Sequence, residues 1–140
     1  MIQIERLRNV EIFQGLTDEE LEMAVRFCNE EMVPAGVTLC EEGARADRLF
    51  ILEDGAVSIK FKKGADYAVQ IPGKILGWSF LVPPNRYTAS AITSSPSKLL
   101  IIMSPDFYDL VHKDPKMGIK IMDNLAQVVA SRLKAFVDFY

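Results

Sequence analysis

The central part of the chain, from about Glu31 to Met103, is interrupted by glycine or proline every few residues. The runs between these residues are short and rich in the apolar side chains that favour strands. They include Val37–Leu39, Leu49–Leu52, Val57–Phe61, Ala68–Ile71 and Leu99–Met103. Several short strands at near-regular spacing, separated by turn residues, predict an antiparallel sandwich or barrel.

Two segments of this region carry hairpin signals. Asp54-Gly55 lies between two apolar runs, and it predicts a hairpin because a two-residue primed turn needs positive φ. The segment from Lys62 to Asp66 predicts a second, looser hairpin.

A helical pattern precedes the strands. Thr17, followed three residues later by Glu20, forms a T-x-x-E capping box, which predicts the start of a helix. Leu21 and Val25 then lie on one apolar face of that helix. We therefore expect a helical lead-in over residues 1–29.

Two further helices are predicted after the strands. Ser104-Pro105-Asp106 combines a capping residue, a proline suited to the first turn and an acidic residue at the positive end of the helix dipole. This pattern predicts a short helix that reaches about His112. Asp114-Pro115 breaks the pattern, and the chain is predicted to be helical from Lys116 nearly to its end.

The apolar side chains of the last helix surround more of it than one packing interface requires. They are Ile119, Met122, Leu125, Ala126, Val129, Leu133, Phe136 and Val137, together with Ile121, Val128, Phe139 and Tyr140. A helix that is apolar on two sides usually has two partners, so we expect one face to pack on its own domain and the other to form a homodimer contact. The alternatives are a deeply buried terminal helix, or a helix trimmed from a longer protein.

Charge and cysteine content narrow the possible functions. The net charge of −3 argues against direct nucleic-acid binding by this chain alone. The sequence has no signal-peptide pattern at its start and no run that approaches the ~18 consecutive apolar residues of a membrane span. Cys28 and Cys40 form no CxxC pair and His112 is the only histidine, so we expect no metal site and two buried thiols in a reducing cytoplasm.

Catalytic motifs are also missing from the sequence. It contains no G-x-S-x-G nucleophile elbow, no metal-ligand spacing and no phosphate-binding G-x-x-x-x-G-K-[ST] loop. We therefore expect a protein without enzymatic activity.

An ordered series of motifs runs through the strand-rich region. The stretch from Pro34 to Val57, PAGVTLCEEGARADRLFILEDGAV, contains a glycine, apolar residues, E-G, an acidic residue, an apolar run and G-x-V in that order. The segment IPGKILG, from Ile71 to Gly77, adds a second glycine pattern. The series resembles the cyclic-nucleotide-binding domain family, which includes bacterial catabolite activator proteins, kinase regulatory subunits and cyclic-nucleotide-gated channels. The resemblance covers about residues 10–137.

The resemblance implies a particular fold. It is mainly β with flanking helices: a double-stranded β-helix, or jelly-roll-like β-roll, with an N-terminal helix and a long C-terminal helix. On this basis we expect a single domain over residues 1–140. Its parts are a helical lead-in at 1–29, the β-roll at 30–103 and the C-terminal helices at 104–140.

The resemblance also implies a candidate ligand pocket. In the family, a glycine and a glutamate open a short helix that faces the cyclic phosphate, and a later arginine neutralises the phosphate. The corresponding residues of this chain are Gly77, Trp78, Ser79, Phe80, Arg86, Tyr87 and Thr88. Trp78 stands at the glutamate position, and its indole cannot accept a hydrogen bond from a ribose hydroxyl.

The arginine position has two candidates. Counting forward from Gly77 gives Arg86, and counting backward from Leu99–Met103 gives Tyr87, with the backward count favoured because it crosses no variable loop. Neighbouring residues of a strand face opposite sides, so one residue of offset decides which side chain points into the pocket. With Tyr87 there, both charged anchors are missing, and a buried cyclic phosphate becomes costly.

These features predict a regulatory or sensor domain. We expect cAMP and cGMP to bind poorly or not at all, and no cofactor is otherwise implied. The aromatic rings of Trp78, Phe80 and Tyr87 either stack on another small ligand or simply pack the roll. The predicted function is to bind such a ligand and signal through the C-terminal helix. The alternatives are a ligand-free interaction or dimerisation module, or the effector domain of a truncated transcription regulator.

Overall fold

The computed structural model describes residues 2–64 and 66–136, with side chains described through residue 133. Two 3-10 helices (Ile4–Leu7 and Glu11–Phe13) and helix α1 (Asp18–Val25) precede the strands. Helices α2 (Ser104–Lys113) and α3 (Pro115–Phe136) follow them, and a third 3-10 helix (Trp78–Leu81) interrupts them.

The described strands form two four-stranded sheets in which every pairing is antiparallel. In spatial order, the first sheet consists of β1 (Asn29–Val33), β8 (Ser97–Met103), β3 (Arg48–Asp54) and β6 (Ile75–Leu76). The second sheet consists of β2 (Thr38–Cys40), β7 (Ser90–Thr93), β4 (Val57–Lys60) and β5 (Tyr67–Val69). The predicted β-roll with flanking helices is confirmed.

The core of the molecule centres on β3 and β8. Leu49–Leu52 of β3 and Leu99–Ile102 of β8 are buried at every position, so neither face of these strands meets solvent. They pair in register, with Phe50 opposite Ile101 and Ile51 opposite Leu100. Burying each such apolar side chain contributes roughly 1.5–3 kcal/mol to the stability of the fold.

The chain leaves the first sheet and enters the second at Asp54-Gly55. β3 pairs with β6 and β8, whereas β4 pairs with β5 and β7, so the hairpin predicted at this point is wrong. Gly55 does have positive φ, at 107°. A Cβ atom at Gly55 would lie only 2.6 Å from the Pro96 carbonyl oxygen, so the turn signal reflects a tight crossing between sheets. The looser hairpin at 62–66 is confirmed by the pairing of β4 with β5.

The lead-in begins its α-helix where the capping box predicts. The Glu20 amide donates to Thr17 Oγ1 at 3.2 Å, and the Thr17 amide donates to Glu20 Oε1 at 2.8 Å. The same Glu20 carboxylate accepts a hydrogen bond from Lys120 Nζ of α3 at 2.6 Å. The Asn124 side-chain amide of α3 also donates to the carbonyl oxygen of Ile12, at 3.0 Å. The lead-in therefore holds α3 in place.

Helix α3 has two apolar faces, as predicted. Met117, Ile121, Leu125 and Val128 are buried on the inner face. The outer face carries Ile119, Met122, Val129 and Leu133, which are 36–63% exposed. The side chain of Phe136 and residues Val137, Phe139 and Tyr140 lie outside what the structure describes, so the outer face is defined here by residues 119–133.

Candidate functional site

A cavity of about 240 Å³ lies between the second sheet and α3. All four strands of that sheet contribute to its wall, through residues such as Cys40, Ile59, Tyr67 and Ala91. Residues 76–79 and 87–89 complete the part of the wall that belongs to the roll. Val129, Arg132 and Leu133 close the cavity from the side of α3. One cavity is thus bounded both by the roll and by the C-terminal helix.

Five of the seven residues predicted for the pocket line this cavity. They are Gly77, Trp78, Ser79, Tyr87 and Thr88. The structure therefore brings together two segments that lie about ten residues apart in the sequence.

Gly77 positions the first of these segments. It precedes the 3-10 helix Trp78–Leu81 and adopts a left-handed conformation with φ 87°, which non-glycine residues rarely adopt. A Cβ atom here would also approach the Arg48 carbonyl oxygen and the Phe50 ring at 3.1 Å each. Glycine is therefore required both by the backbone conformation and by the packing against β3.

Tyr87 points into the molecule. Its side chain is buried, and its hydroxyl oxygen accepts hydrogen bonds from the amides of Asp47 and Arg48 at 3.3 Å each. The hydroxyl also lies 3.2 Å from Asp47 Oδ1. Burial raises the pKa of Tyr87 to about 12. A neutral tyrosine, whose hydroxyl is hydrogen-bonded to Asp47 and Arg48, thus occupies the pocket position that the backward count assigned to it.

Phe80 and Arg86, the other two residues predicted for the pocket, do not line this cavity. The ring of Phe80 packs edge-on against Phe107 of α2, with 5.6 Å between ring centroids. Arg86 is exposed and donates from Nη1 to the Gly43 carbonyl oxygen at 2.9 Å. Because Arg86 and Tyr87 are adjacent residues of an extended segment, the inward direction of Tyr87 sends Arg86 outward.

Arg132 is a cavity residue that the sequence analysis missed. Its Nη2 donates to Glu11 Oε2 at 2.9 Å, and its guanidinium carbon lies 5.0 Å from the centroid of the Trp78 ring. Its Nη1 is buried and has no hydrogen-bond partner among the described residues. The sequence did hold a signal, because Arg132 continues the buried stripe of α3 at four residues from Val128 and seven from Leu125.

The chemistry of the cavity wall is mostly apolar and aromatic. Ser79, Thr88 and Ser90 add neutral hydroxyl groups, and Arg132 is the only charged residue among the described residues that line the cavity. Such a wall fits a small molecule with an apolar or planar part and a negatively charged group, because apolar sites with few polar groups bind ligands in this way.

Metal and thiol chemistry have little support in the described part of the molecule. Within residues 2–64 and 66–136, no three His, Cys, Asp or Glu side chains are grouped so that they could hold a metal ion. Cys28 and Cys40 are both buried and unpaired, and burial raises the pKa of Cys28 to about 12 and that of Cys40 to about 11. No helix in the described part of the chain is long and apolar enough to cross a membrane.

A two-sheet roll with a leading helix and a long trailing helix is the fold of the cyclic-nucleotide-binding regulatory domains. The family model described as "Cyclic nucleotide-binding domain" matches residues 30–114, and the chain belongs to this family.

Solved and curated proteins are similar to this chain over most of its length. A Geobacter metallireducens protein classed as a cyclic nucleotide-binding protein is 32% identical, with a TM-score of 0.81, over 95% of this chain and 99% of that one. Glutaminase 2 of Bradyrhizobium diazoefficiens is 31% identical over 86% of this chain. The cyclic AMP receptor protein of Thermus thermophilus is 25% identical over 88% of this chain. The chain spans only 19% of the length of the glutaminase and 57% of that of the receptor protein.

Proposed function

We propose that this domain is a sensor that binds a small ligand other than cAMP or cGMP, or binds these two only weakly, and signals through α3. The observation that carries the proposal is that roll and helix share one cavity. A ligand in that cavity contacts Val129, Arg132 and Leu133 of α3 as well as the roll. It therefore has different contacts when α3 is close to the roll and when it is displaced, which is the condition for shifting a two-state equilibrium.

Weak binding of cyclic nucleotides follows from the side chains at the two anchor positions. Trp78 offers one N–H donor and no acceptor, so it cannot replace a glutamate. Tyr87 carries no charge, and its hydroxyl is already bonded to the backbone of Asp47 and Arg48. A cyclic phosphate placed against this part of the wall would lose its hydration without gaining a countercharge from the roll.

The outer face of α3 is the surface through which we propose that two copies pair. Ile119, Met122, Ala126, Val129 and Leu133 follow one another at alternating spacings of three and four residues. This is the heptad spacing of a helix that packs against another helix. Val129 and Leu133 also line the cavity, so the proposed dimer contact adjoins the ligand site.

The whole protein's role depends on what accompanies the domain. Because the Thermus receptor protein is longer, a second candidate function is the effector domain of a longer regulator. We assign the domain itself no catalytic activity and no direct contact with nucleic acid, and we place it in the cytoplasm. If the melting-temperature screen contradicts the proposal, a ligand-free interaction module becomes the favoured function.

A melting-temperature screen against nucleotides and small metabolites tests ligand binding. We expect at least one metabolite to raise Tm in proportion to the logarithm of its concentration, as mass action requires, and cAMP and cGMP to raise it little. A large shift with either cyclic nucleotide would contradict the altered pocket. If no compound in the panel shifts Tm, the sensor role fails and the interaction module is favoured.

Sedimentation velocity tests the dimer. We expect the wild-type protein to sediment as a dimer and Ile119→Glu to sediment as a monomer, because a charge at a heptad position opposes helix pairing. Met32→Glu is the matched control, since Met32 is also an exposed apolar residue, at 73% against 63% for Ile119, but lies on β1. A wild-type monomer at high concentration would remove the dimer from the proposal.

A further inference from the structure

The residue Arg132 lines two cavities. It belongs to the wall of the 240 Å³ cavity described above and to that of a second cavity of about 400 Å³, whose wall includes Gln70, Lys74 and Ser131. Tyr67 also lines both cavities. A movement of the Arg132 side chain would therefore change the size of the space available to a ligand.

The guanidinium of Arg132 is only partly used by the protein. Its Nη2 is bonded to Glu11, and one of its faces lies over the Trp78 ring. Its Nη1 is buried without an acceptor among the described residues, which is unusual because buried N–H groups nearly always have one. An arginine presents donors in a planar fork that matches the two oxygens of a carboxylate or a phosphate.

Glu11 has other partners and can release Arg132. The Glu11 carboxylate accepts a hydrogen bond from the Ile75 amide at 2.6 Å, and its Oε1 lies 3.5 Å from Lys74 Nζ. It therefore stays compensated by an amide and a lysine when the arginine turns away. The Arg132–Glu11 contact also joins α3 to the 3-10 helix Glu11–Phe13, so breaking it changes how α3 is held.

We propose that Arg132 is the residue of the cavity that recognises an anion, and that the ligand is a small planar molecule bearing a carboxylate or a phosphate. One oxygen of the anion binds Nη1, and the other competes with Glu11 for Nη2. The planar part of the ligand lies among the apolar residues around Trp78. This rests on the proposed function, and it means that the countercharge of the site comes from the signalling helix and not from the roll.

The single tryptophan of the chain makes the proposal measurable. Because Arg132 covers the Trp78 ring, an anion that moves Arg132 must change the tryptophan fluorescence. We would titrate the full chain with benzoate, with phenyl phosphate and with benzamide, the neutral isostere of benzoate. We expect a saturable change with at least one of the two anions and at least tenfold weaker binding of benzamide. Tighter benzoate indicates a carboxylate ligand, and tighter phenyl phosphate a phosphate ligand.

Two variants test the residue itself. Calorimetry measures the variants, because Arg132→Gln lacks the guanidinium that lies over Trp78. Arg132→Gln should weaken binding of the anionic probe at least tenfold, whereas Arg26→Gln, which removes an exposed arginine from the end of α1, should leave it unchanged. Glu11→Gln removes the competing charge and should tighten binding several-fold. It keeps Arg132 in place, so it carries the test even if Arg132→Gln fails to fold.

Three results would overturn the proposal: equal affinity for benzoate and benzamide, unchanged anion affinity in Arg132→Gln, or anion affinity weakened or unchanged in Glu11→Gln. Failure of the anion assignment and failure of the sensor role are distinguishable by the melting-temperature screen. If neutral metabolites stabilise wild-type protein and Arg132→Gln equally, the sensor role stands and the anion assignment falls. If neither the screen nor the three probes produce a response, both fall.

Discussion

The two walls of the cavity differ in the kind of side chain that they contribute. The wall that belongs to the roll is neutral at both positions where the family's charged anchors were expected, Trp78 and Tyr87. The wall that belongs to α3 carries the charge, on Arg132. In a roll with its own anchors, the ligand can bind before the helix responds. Under the proposed function, the strongest electrostatic partner of a ligand lies on the helix that would respond to it.

The walls also differ in how firmly their polar groups are held. The Tyr87 hydroxyl accepts hydrogen bonds from the amides of Asp47 and Arg48, at the start of β3. Because β3 is at the centre of the core, these amides cannot move without disturbing it. Arg132 is held by one carboxylate and by the Trp78 ring, and its Nη1 has no hydrogen-bond partner within the part of the chain that the structure describes. This difference fits the proposed function, in which the roll is the fixed support and α3 the part that responds.

The largest expected effect on stability comes from weakening the packing of α3 against its own domain. Ile121 is fully buried on the inner face of α3, so Ile121→Ala should lower the free energy of unfolding by about 2–5 kcal/mol. Ile119→Ala makes the same chemical change on the same helix, but its side chain is 63% exposed. In dilute protein it should change stability by no more than about 0.5 kcal/mol. Urea denaturation of both variants checks the difference, and equal losses would contradict the assignment of the two faces.

A smaller effect is expected from loosening the roll wall at Tyr87. Tyr87→Phe leaves the amides of Asp47 and Arg48 without their acceptor, which should cost about 1–2 kcal/mol at neutral pH. The free energy of unfolding of the variant should also change less than that of the wild type as the pH rises above 10. Because burial raises the pKa of Tyr87 from 10 to about 12, its contribution is fully present below pH 10 and is lost as the pH rises towards 12.

The measurement is the free energy of unfolding across that pH window. A pKa raised from 10 to about 12 corresponds to about 2–3 kcal/mol of pH-dependent stability, which the phenylalanine variant should lack. The thiols of Cys28 and Cys40 also titrate at high pH, so the difference between wild type and variant isolates the tyrosine. Identical pH profiles would show that the hydroxyl is not held as described.

The smallest effect is expected where α3 meets the lead-in. Burial by itself would raise the pKa of Glu20, but the hydrogen bond from Lys120, with those from Thr17, outweighs it and lowers that pKa below 4.5. Lys120→Gln should therefore cost about 1 kcal/mol above pH 4.5. The cost should disappear as the pH falls through the lowered pKa of Glu20, because the protonated carboxyl no longer needs the lysine. If Lys120→Gln still destabilises the protein in acid, its effect comes from lost packing and not from the contact with Glu20.

Local signals in the sequence predicted the elements of the fold well. The runs between glycine and proline residues located β2, β3, β4, β5 and β8, whereas no run was named for β1, β6 or β7. The Thr17–Glu20 capping box located the start of α1. The same kind of signal failed at Asp54-Gly55, because a positive φ specifies a turn but not which sheet the next strand joins. That choice is made by contacts between residues distant in sequence, such as the approach of Gly55 to the Pro96 carbonyl.

The site was harder to predict than the fold for a related reason. Trp78 and Tyr87 were found because they occupy positions in an ordered motif. Arg132 lies in no motif, and its role depends on the angle at which α3 crosses the roll, which the hydrogen bonds of Lys120 and Asn124 with the lead-in help to set. Only its place in the buried stripe of α3 marks it in the sequence.

A crystal structure of the protein with benzoate bound tests most directly whether the helix wall supplies the charge. We predict that a carboxylate oxygen lies about 2.7–2.9 Å from Arg132 Nη1, as charge-assisted hydrogen bonds do. The Arg132–Glu11 contact, at 2.9 Å without ligand, should be lengthened or broken. Benzoate bound against residues 78–81 with the Arg132–Glu11 contact intact would contradict the account.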